Sequence, residues 1–421
     1  MNALRPIAVL LVAVWFLQLA GGTLSVIVPL GLAELGANGA VIGFIAALYA
    51  AGLMLGAYLA PQFVARTGNI RTFSAAASLT VVGSLALSFV LPIWAWAPIR
   101  IVQGVGFAAM FASAEAWLGQ AAPEGRRGSV LGAYNVAAKA ALMTGPFLIA
   151  GAAPLAPHTF VLTGLFLACA LIPVCLTRQI EPVRQTTKGL PLRHIARMAP
   201  SAVVGCFMAG IINTGTFAFL PLYAASVMSN LDPIAAAALA FAAANGGALI
   251  AQWPLGRLSD RFDRRAVIAT QCGVAATAVL VLALFGSSLQ SFVILALLML
   301  WGAGSLTFYG IAVAHGIDRI TDGRVTDLMG VLIICWATGS VIGPILAGLV
   351  VSLVPGDTVL FFFTTAGLIT LSTVMMIQRL RRAPTRRRSR WHPSMPAPVG
   401  LMGGRLHLFR TSSRAKPEDE I

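Results

Sequence analysis

Charge is what this chain has least of. Only 10% of its 421 residues are Asp, Glu, Lys or Arg, and 14 are acidic. Soluble domains carry about a quarter charged residues, so an ordinary water-soluble core is excluded. Cysteine is also sparse. The five (Cys169, Cys175, Cys206, Cys272, Cys335) lie in apolar runs without paired spacing. They read as buried, inert thiols, with neither a disulfide framework nor a metal site. There is no nucleophile–base set and no Walker-type Gly-rich loop. The chain is therefore not expected to be an enzyme, to carry a cofactor or metal, or to run on ATP.

Apolar residues fill the space, at 58% of the chain and a mean hydropathy of +0.86. A helix needs about 20 mostly apolar residues to cross the hydrocarbon of a bilayer. Twelve such runs follow one another: 7–30, 40–62, 72–91, 96–118, 128–152, 159–177, 198–224, 235–256, 266–285, 291–316, 327–352 and 357–378. The first lacks a signal-peptide cleavage site and reads as a true span.

Basic residues are numerous but one-sided. Of 29 Lys and Arg, 27 fall in alternate loops and the tail, and the six intervening loops have none. That segregation excludes nucleic acid as the reason for a net charge of +15. It predicts that both termini are cytoplasmic and the number of spans is even.

The polar stretch 178–197 divides the chain into halves, 1–177 and 198–378, and 379–421 reads as a basic, disordered cytoplasmic tail facing anionic headgroups. Features recur at an offset near 200. Gly104 and Gly106 match Gly302 and Gly304, Gly145-Pro146 matches Gly343-Pro344, and Gly56 matches Gly256. Two parallel six-helix units with a site between them are implied. Gly52 and Gly56, Gly128 and Gly132, and Gly339 and Gly343 have the spacing of close helix contacts.

The stretch G256-R-L-S-D-R-F-D-R-R265, between spans eight and nine, holds six charged residues in ten. With R100-I-V-Q-G-V-G106 in span four, it resembles the major facilitator superfamily. Glu115-Ala-Trp-Leu118 and Gln252-Trp-Pro-Leu-Gly-Arg-Leu258 are similar to a poorly characterised bacterial branch of it. The resemblance implies an all-α membrane protein of 12 spans in two pseudo-symmetric bundles. It implies secondary transport by alternating access. The first-half copy departs from the pattern: Ala60 and Pro61 stand where Asp and Arg are expected.

Two groups of candidate residues follow. The cytoplasmic gate comprises Gly256, Asp260, Arg261, Arg264, Arg265, Asp318, Glu115, Arg66 and Arg71. The resemblance places Asp260 near Gly128 at the start of span five, where a carboxylate would cap that helix as a breakable latch. Arg264 and Arg265 pair with Asp318 and Asp322, and Glu115 pairs with Arg66 or Arg71. The plain alternative is a solvated loop that follows the positive-inside bias.

The substrate or coupling group holds Arg100, Gln103 and Phe107 on one face of span four, and Asn135 and Lys139 one turn apart on span five. Asn213 on span seven, Trp301 and Phe308 on span ten, and Trp15 and Gln18 on span one join them, because the resemblance implies that spans one, seven and ten line the cavity. His315 fits an interfacial position.

Ionisable groups within spans are costly and mark function. Arg100 and Lys139 face no acid at their depth, which favours a small organic anion carried with protons. Efflux of amphiphilic drugs and a non-transporting membrane scaffold are the competing readings. The expected protein is a monomer of the plasma membrane, the inner membrane of a bacterium, whose partners are a small-molecule solute, protons and lipid.

Overall fold

The computed structural model describes residues 5–89, 91–121, 127–176, 198–319, 325–356 and 358–381. The linker 178–197 and nearly all of the tail lie outside them, as does Asp322. The described residues are helical, with no strand among them. In chain order the helices are α1 (Arg5–Glu34), α2 (Gly39–Thr67), α3 (Asn69–Ala86), α4 (Ile93–Ala121), α5 (Arg127–Thr144) and α6 (Pro157–Cys175). They continue with α7 (Pro200–Val227), α8 (Pro233–Arg261), α9 (Arg264–Phe285), α10 (Ser291–Arg319), α11 (Val325–Leu353) and α12 (Leu360–Arg381). Ten are long and apolar enough to cross a membrane. The 18-residue α3 and α5 are not among them. Each spends part of its length on polar residues, and α5 passes into a 3-10 turn at Gly145–Ile149.

The helices overrun the apolar sequence. Helix α8 continues to Arg261 and α9 begins at Arg264, so Phe262 and Asp263 are all the loop there is. Most of GRLSDRFDRR is thus helix, because Asp263 caps α9 by accepting from the Arg265 N–H and lets the chain restart at once. The thiols also differ from expectation: Cys206, Cys272 and Cys335 are buried, but Cys175 is exposed at the end of α6.

Packing repeats between the halves. Helix α4 lies on α2 and α3, as α10 lies on α8 and α9, and α1 meets α5 as α7 meets α11. Matched glycines make these crossings. A Cβ on Gly104 would strike the Tyr49 carbonyl of α2, and one on Gly302 the Ala244 carbonyl of α8. Gly145 and Gly343 likewise meet the backbones of α1 and α7, at Leu19 and Ile211. Of the three expected glycine pairs, Gly52 with Gly56 packs on α4, and Gly339 with Gly343 packs on α7. Gly132 has nothing within 4 Å of its missing side chain among the described residues, so it makes no close crossing with them. Without Cβ atoms the backbones approach closely, which is what holds helices together where water supplies no hydrophobic drive.

The halves meet along α2 with α11 and α5 with α8. Among the described residues they are closed at one end. There Gly39 and Gly43 lie on the backbone of α11 at Pro344 and Gly348. The Ala40 N–H donates to Ser352 Oγ at 2.6 Å, and the Gly151 N–H donates to Asp232 at 3.0 Å. At the other end, which carries the basic loops, the mid-section of α2 is open to solvent: Met54, Leu55 and Tyr58 are exposed.

Candidate functional site

Between the halves lies a cavity of about 680 Å³, within the size range of small-molecule sites. Met54, Leu55 and Tyr58 belong to its wall, so it opens toward the basic end. Its closed end lies at Pro344, where Gly43 crosses α11. Most of the wall is apolar and aromatic. Two cations reach it, Arg100 from α4 and Lys139 from α5, and no Asp or Glu does among the described residues.

Arg100 is held in place. Gln103, one turn on, accepts from its Nη1 at 2.7 Å and in turn donates to Ser84 of α3 at 3.3 Å. Tyr49 of α2 covers the guanidinium face, 4.2 Å from ring centroid to Cζ. Phe107 packs edge-on to Tyr49 at 6.1 Å and lines the cavity itself. A helical i, i+3, i+7 spacing therefore yields three different tasks: Arg100 and Phe107 face the cavity, while Gln103 is fully buried behind Arg100. Lys139 is buried, and no hydrogen bond or ion pair ties its ammonium among the described residues. Asn135 sits a turn away, half-buried and off the cavity wall.

In the second half, Asn213 lines the cavity from a π turn, Gly210–Thr214, that interrupts α7. It clasps Ser305, accepting from its hydroxyl at 2.6 Å and donating to its carbonyl at 3.2 Å. Ser305 is where α10 breaks before resuming at Phe308. Unwound backbone is tolerated at membrane depth only where it is buried in protein or lines a cavity, and π turns often mark such places.

Trp301 and Phe308 are fully buried and do not reach the cavity. Trp301 instead backs Phe217, at 5.5 Å, and Phe217 forms the wall with Phe241 at 5.3 Å. Gln18 lines the cavity, whereas Trp15 is exposed. Tyr49, Phe241 and Trp336 are also on the wall, and helical spacing alone does not single them out. Tyr49 carried a findable signal, since its helix shares the Gly52–Gly104 crossing that brings it over Arg100.

The charged group at the basic end is knitted within the second half. Arg264 is buried, reaching Asp318 of α10 at 2.8 Å, Asp260 of α8 at 3.3 Å and the Ser259 hydroxyl at 2.8 Å. Arg265 is buried too, but pairs with Asp263 at 2.9 Å and donates to the Gln378 carbonyl of α12 at 2.8 Å, rather than to Asp318. The expected partner Asp322 lies outside the described residues. His315, buried near Asp263 and Asp318, belongs to the same cluster. Burial works against the charge of Asp263. Hydrogen bonds from the Arg265 side chain and backbone, with the charges of Arg265 and His315, outweigh it and hold the carboxyl below the ordinary aspartate range.

Arg261 is exposed and Gly256 buried on the last turns of α8. The expected ion pair of Glu115 with Arg66 or Arg71 is not formed among the described residues. Both arginines are exposed to solvent at the ends of α2 and α3, and Glu115 lies beside Tyr134 of α5.

Paired helical repeats, a central cavity open at one end and the charged connection between α8 and α9 define a solute carrier of the membrane. The family model of the Major Facilitator Superfamily matches residues 10–331, and the chain belongs to that family. It is an integral membrane transporter.

Among curated relatives, it is 26% identical over 384 residues to the "Uncharacterized MFS-type transporter YcaD" of Salmonella heidelberg (strain SL476), covering 90% of this chain and 96% of that one. Among solved structures, the nucleoside transporter NupG superposes with a TM-score of 0.76 at 12% identity, covering 90% of this chain and 99% of that one. A POT family transporter in complex with 5-aminolevulinic acid gives 0.71 at 13% identity, over 90% and 96%.

Proposed function

We propose that this protein carries small organic anions across the bacterial inner membrane by alternating access, coupled to protons. The observation that carries the reading is the charge of the cavity: Arg100 and Lys139 reach its wall and no acid does among the described residues. A cation in a low-dielectric cavity without a counter-ion costs several kcal/mol, about 3 on insertion scales. An anionic solute supplies the missing charge, and binding it offsets that cost. Coupling to protons is supported by the family and by the lack of any nucleotide-binding motif in the sequence.

Twelve spans, with α3 and α5 crossing as packed members of their bundles, and cytoplasmic termini follow from the segregation of basic loops. On that topology the cavity is open to the cytoplasm. Tag fusions at residues 36 and 290 should then report the far side, and fusions at the C-terminus the cytoplasm.

The cluster around Asp260, Arg261, Arg264 and Arg265 serves as the cytoplasmic gate, with Glu115, Arg66, Arg71 and Gly256 about it. Asp260 reaches the start of α5 when the halves close at that end. Asp260→Asn should cut transport while leaving expression intact.

The deciding experiment is uptake of radiolabelled organic anions into proteoliposomes at two imposed pH gradients. Lys139→Ala should lower uptake at least tenfold, Lys139→Arg should restore part of it, and an uncoupler should abolish accumulation. Unchanged anion uptake in Lys139→Ala refutes the reading. The aromatic wall formed by Phe107, Phe111, Phe217 and Phe241 favours amphiphile efflux as a second reading. Expulsion of cationic dyes alone would establish it instead.

A further inference from the structure

The polar groups of the cavity are not evenly committed. In the second half each amide and hydroxyl side chain on the wall already donates within the protein, which leaves the Trp336 indole as the exception. Asn213 is clasped to Ser305. Thr214 donates to the Gly210 and Ser340 carbonyls, the Ser340 hydroxyl to the Trp336 carbonyl, and Asn245 to the Phe241 carbonyl. In the first half the Ser25 hydroxyl donates to the Gly21 carbonyl, but the cations and Gln18 are less committed. Among the described residues neither Lys139 nor Gln18 makes a side-chain hydrogen bond, and Arg100 spends one Nη on Gln103 while still reaching the wall. Donors for a ligand are thus concentrated on α1, α4 and α5. The opposite wall offers mainly ring faces: Phe217 and Phe241, braced from behind by Trp301, and Trp336 on α11.

Resting on the anion reading above, we infer that the substrate is an amphipathic monoanion, with its carboxylate between Arg100 and Lys139 and an aryl or alkyl body against Phe217, Phe241 and Trp336. A second carboxylate at the far end would meet mostly apolar ring surface and side chains already donating within the protein, and would lose most of its hydration without replacement. An apolar body there sheds water onto a preformed surface. One half thus holds the charge and the other the body. Release of either end weakens the grip of one half when the two rock apart.

The test is isothermal titration of the full chain in nanodiscs with propionate, 3-phenylpropionate and succinate. The expected result is that 3-phenylpropionate binds at least tenfold tighter than propionate and succinate no tighter than propionate. Phe241→Ala should erase the tenfold increment of 3-phenylpropionate over propionate, and Phe217→Leu, which keeps apolar volume, should erase part of it. Lys139→Ala should weaken both monoanions together. Succinate binding as tightly as 3-phenylpropionate overturns the inference but leaves the anion reading standing. So does an equal loss for propionate and 3-phenylpropionate in the Phe variants. Binding of none of the three sinks both.

Discussion

Arg100 shows how much of a residue's role is set by its neighbours. Its charge alone would permit a structural or a binding role. Gln103 and Tyr49 turn it into an oriented donor by holding one Nη and covering one face. Hydrogen bonds to charged groups contribute about 1.5–3 kcal/mol. Gln103→Leu should therefore raise the substrate KM about tenfold with a smaller change in kcat, read by uptake kinetics. It should also lower the thermal midpoint in detergent by a few degrees, because Ser84 loses its partner as well.

Asp263 permits a prediction of opposite kind. Its folded pKa is depressed, so its contribution to stability is complete above the ordinary aspartate value of about 4 and fades as pH falls through the folded value. Thermal melts between pH 7 and pH 3 should show the basic end loosening in acid. Asp263→Asn should be less stable at pH 7 and should flatten that dependence.

At the scale of the helix, two devices matter. Glycine crossings set how close α4 comes to α2 and α10 to α8. Gly302→Val places a branched side chain against the Ala244 carbonyl, so monodisperse protein should be lost in size-exclusion chromatography, as it should in Gly104→Val. Arg264 is the second device, joining α8, α9 and α10 through one guanidinium. Breaking a buried pair by removing one partner costs about 3–5 kcal/mol, mostly from the charge left behind. Arg264→Ala should lower the melting temperature sharply, and pairing it with Asp318→Asn should recover part of the loss.

Both devices lie on residues visible in the sequence, and the repeat of Gly104 with Gly302 is legible there by spacing alone. The π turn at Asn213 and the break after Ser305 are not. Nothing in GIINT distinguishes a five-residue turn from ordinary helix until Ser305 is brought alongside.

For the whole molecule, the closed end joins an extensive α2–α11 crossing to few cross-half hydrogen bonds. Asp232 accepts from Gly151 while capping α8 through the Ala235 N–H, and Ser352 receives the Ala40 N–H. These cross-half bonds must break for the cavity to open on that side. In Asp232→Ala with Ser352→Ala, a cysteine replacing Leu32, which lines the cavity and is fully buried, should react with a membrane-impermeant maleimide several-fold faster from that side. Labelling no faster than in the parent would show that the glycine contacts of Gly39 and Gly43 alone keep it shut.

Composition and charge placement determined much by themselves. Apolar runs of bilayer length, basic residues confined to alternate loops and the motifs in span four and GRLSDRFDRR lead to a membrane carrier of the Major Facilitator Superfamily, because each is a local or periodic property of the chain. The cation pair is legible too, since charge within an apolar run stands out. Only the tertiary structure decided which side chains meet. Gln103, Trp301 and Phe308 share helix faces with cavity residues yet lie behind the wall, while Tyr49, Phe241 and Trp336 enter it from helices distant in sequence. The reason is geometric. Helical spacing fixes the face on which a residue sits, but the crossings between helices, set by backbone contacts at glycine, decide whether that face looks into the cavity or into a neighbour.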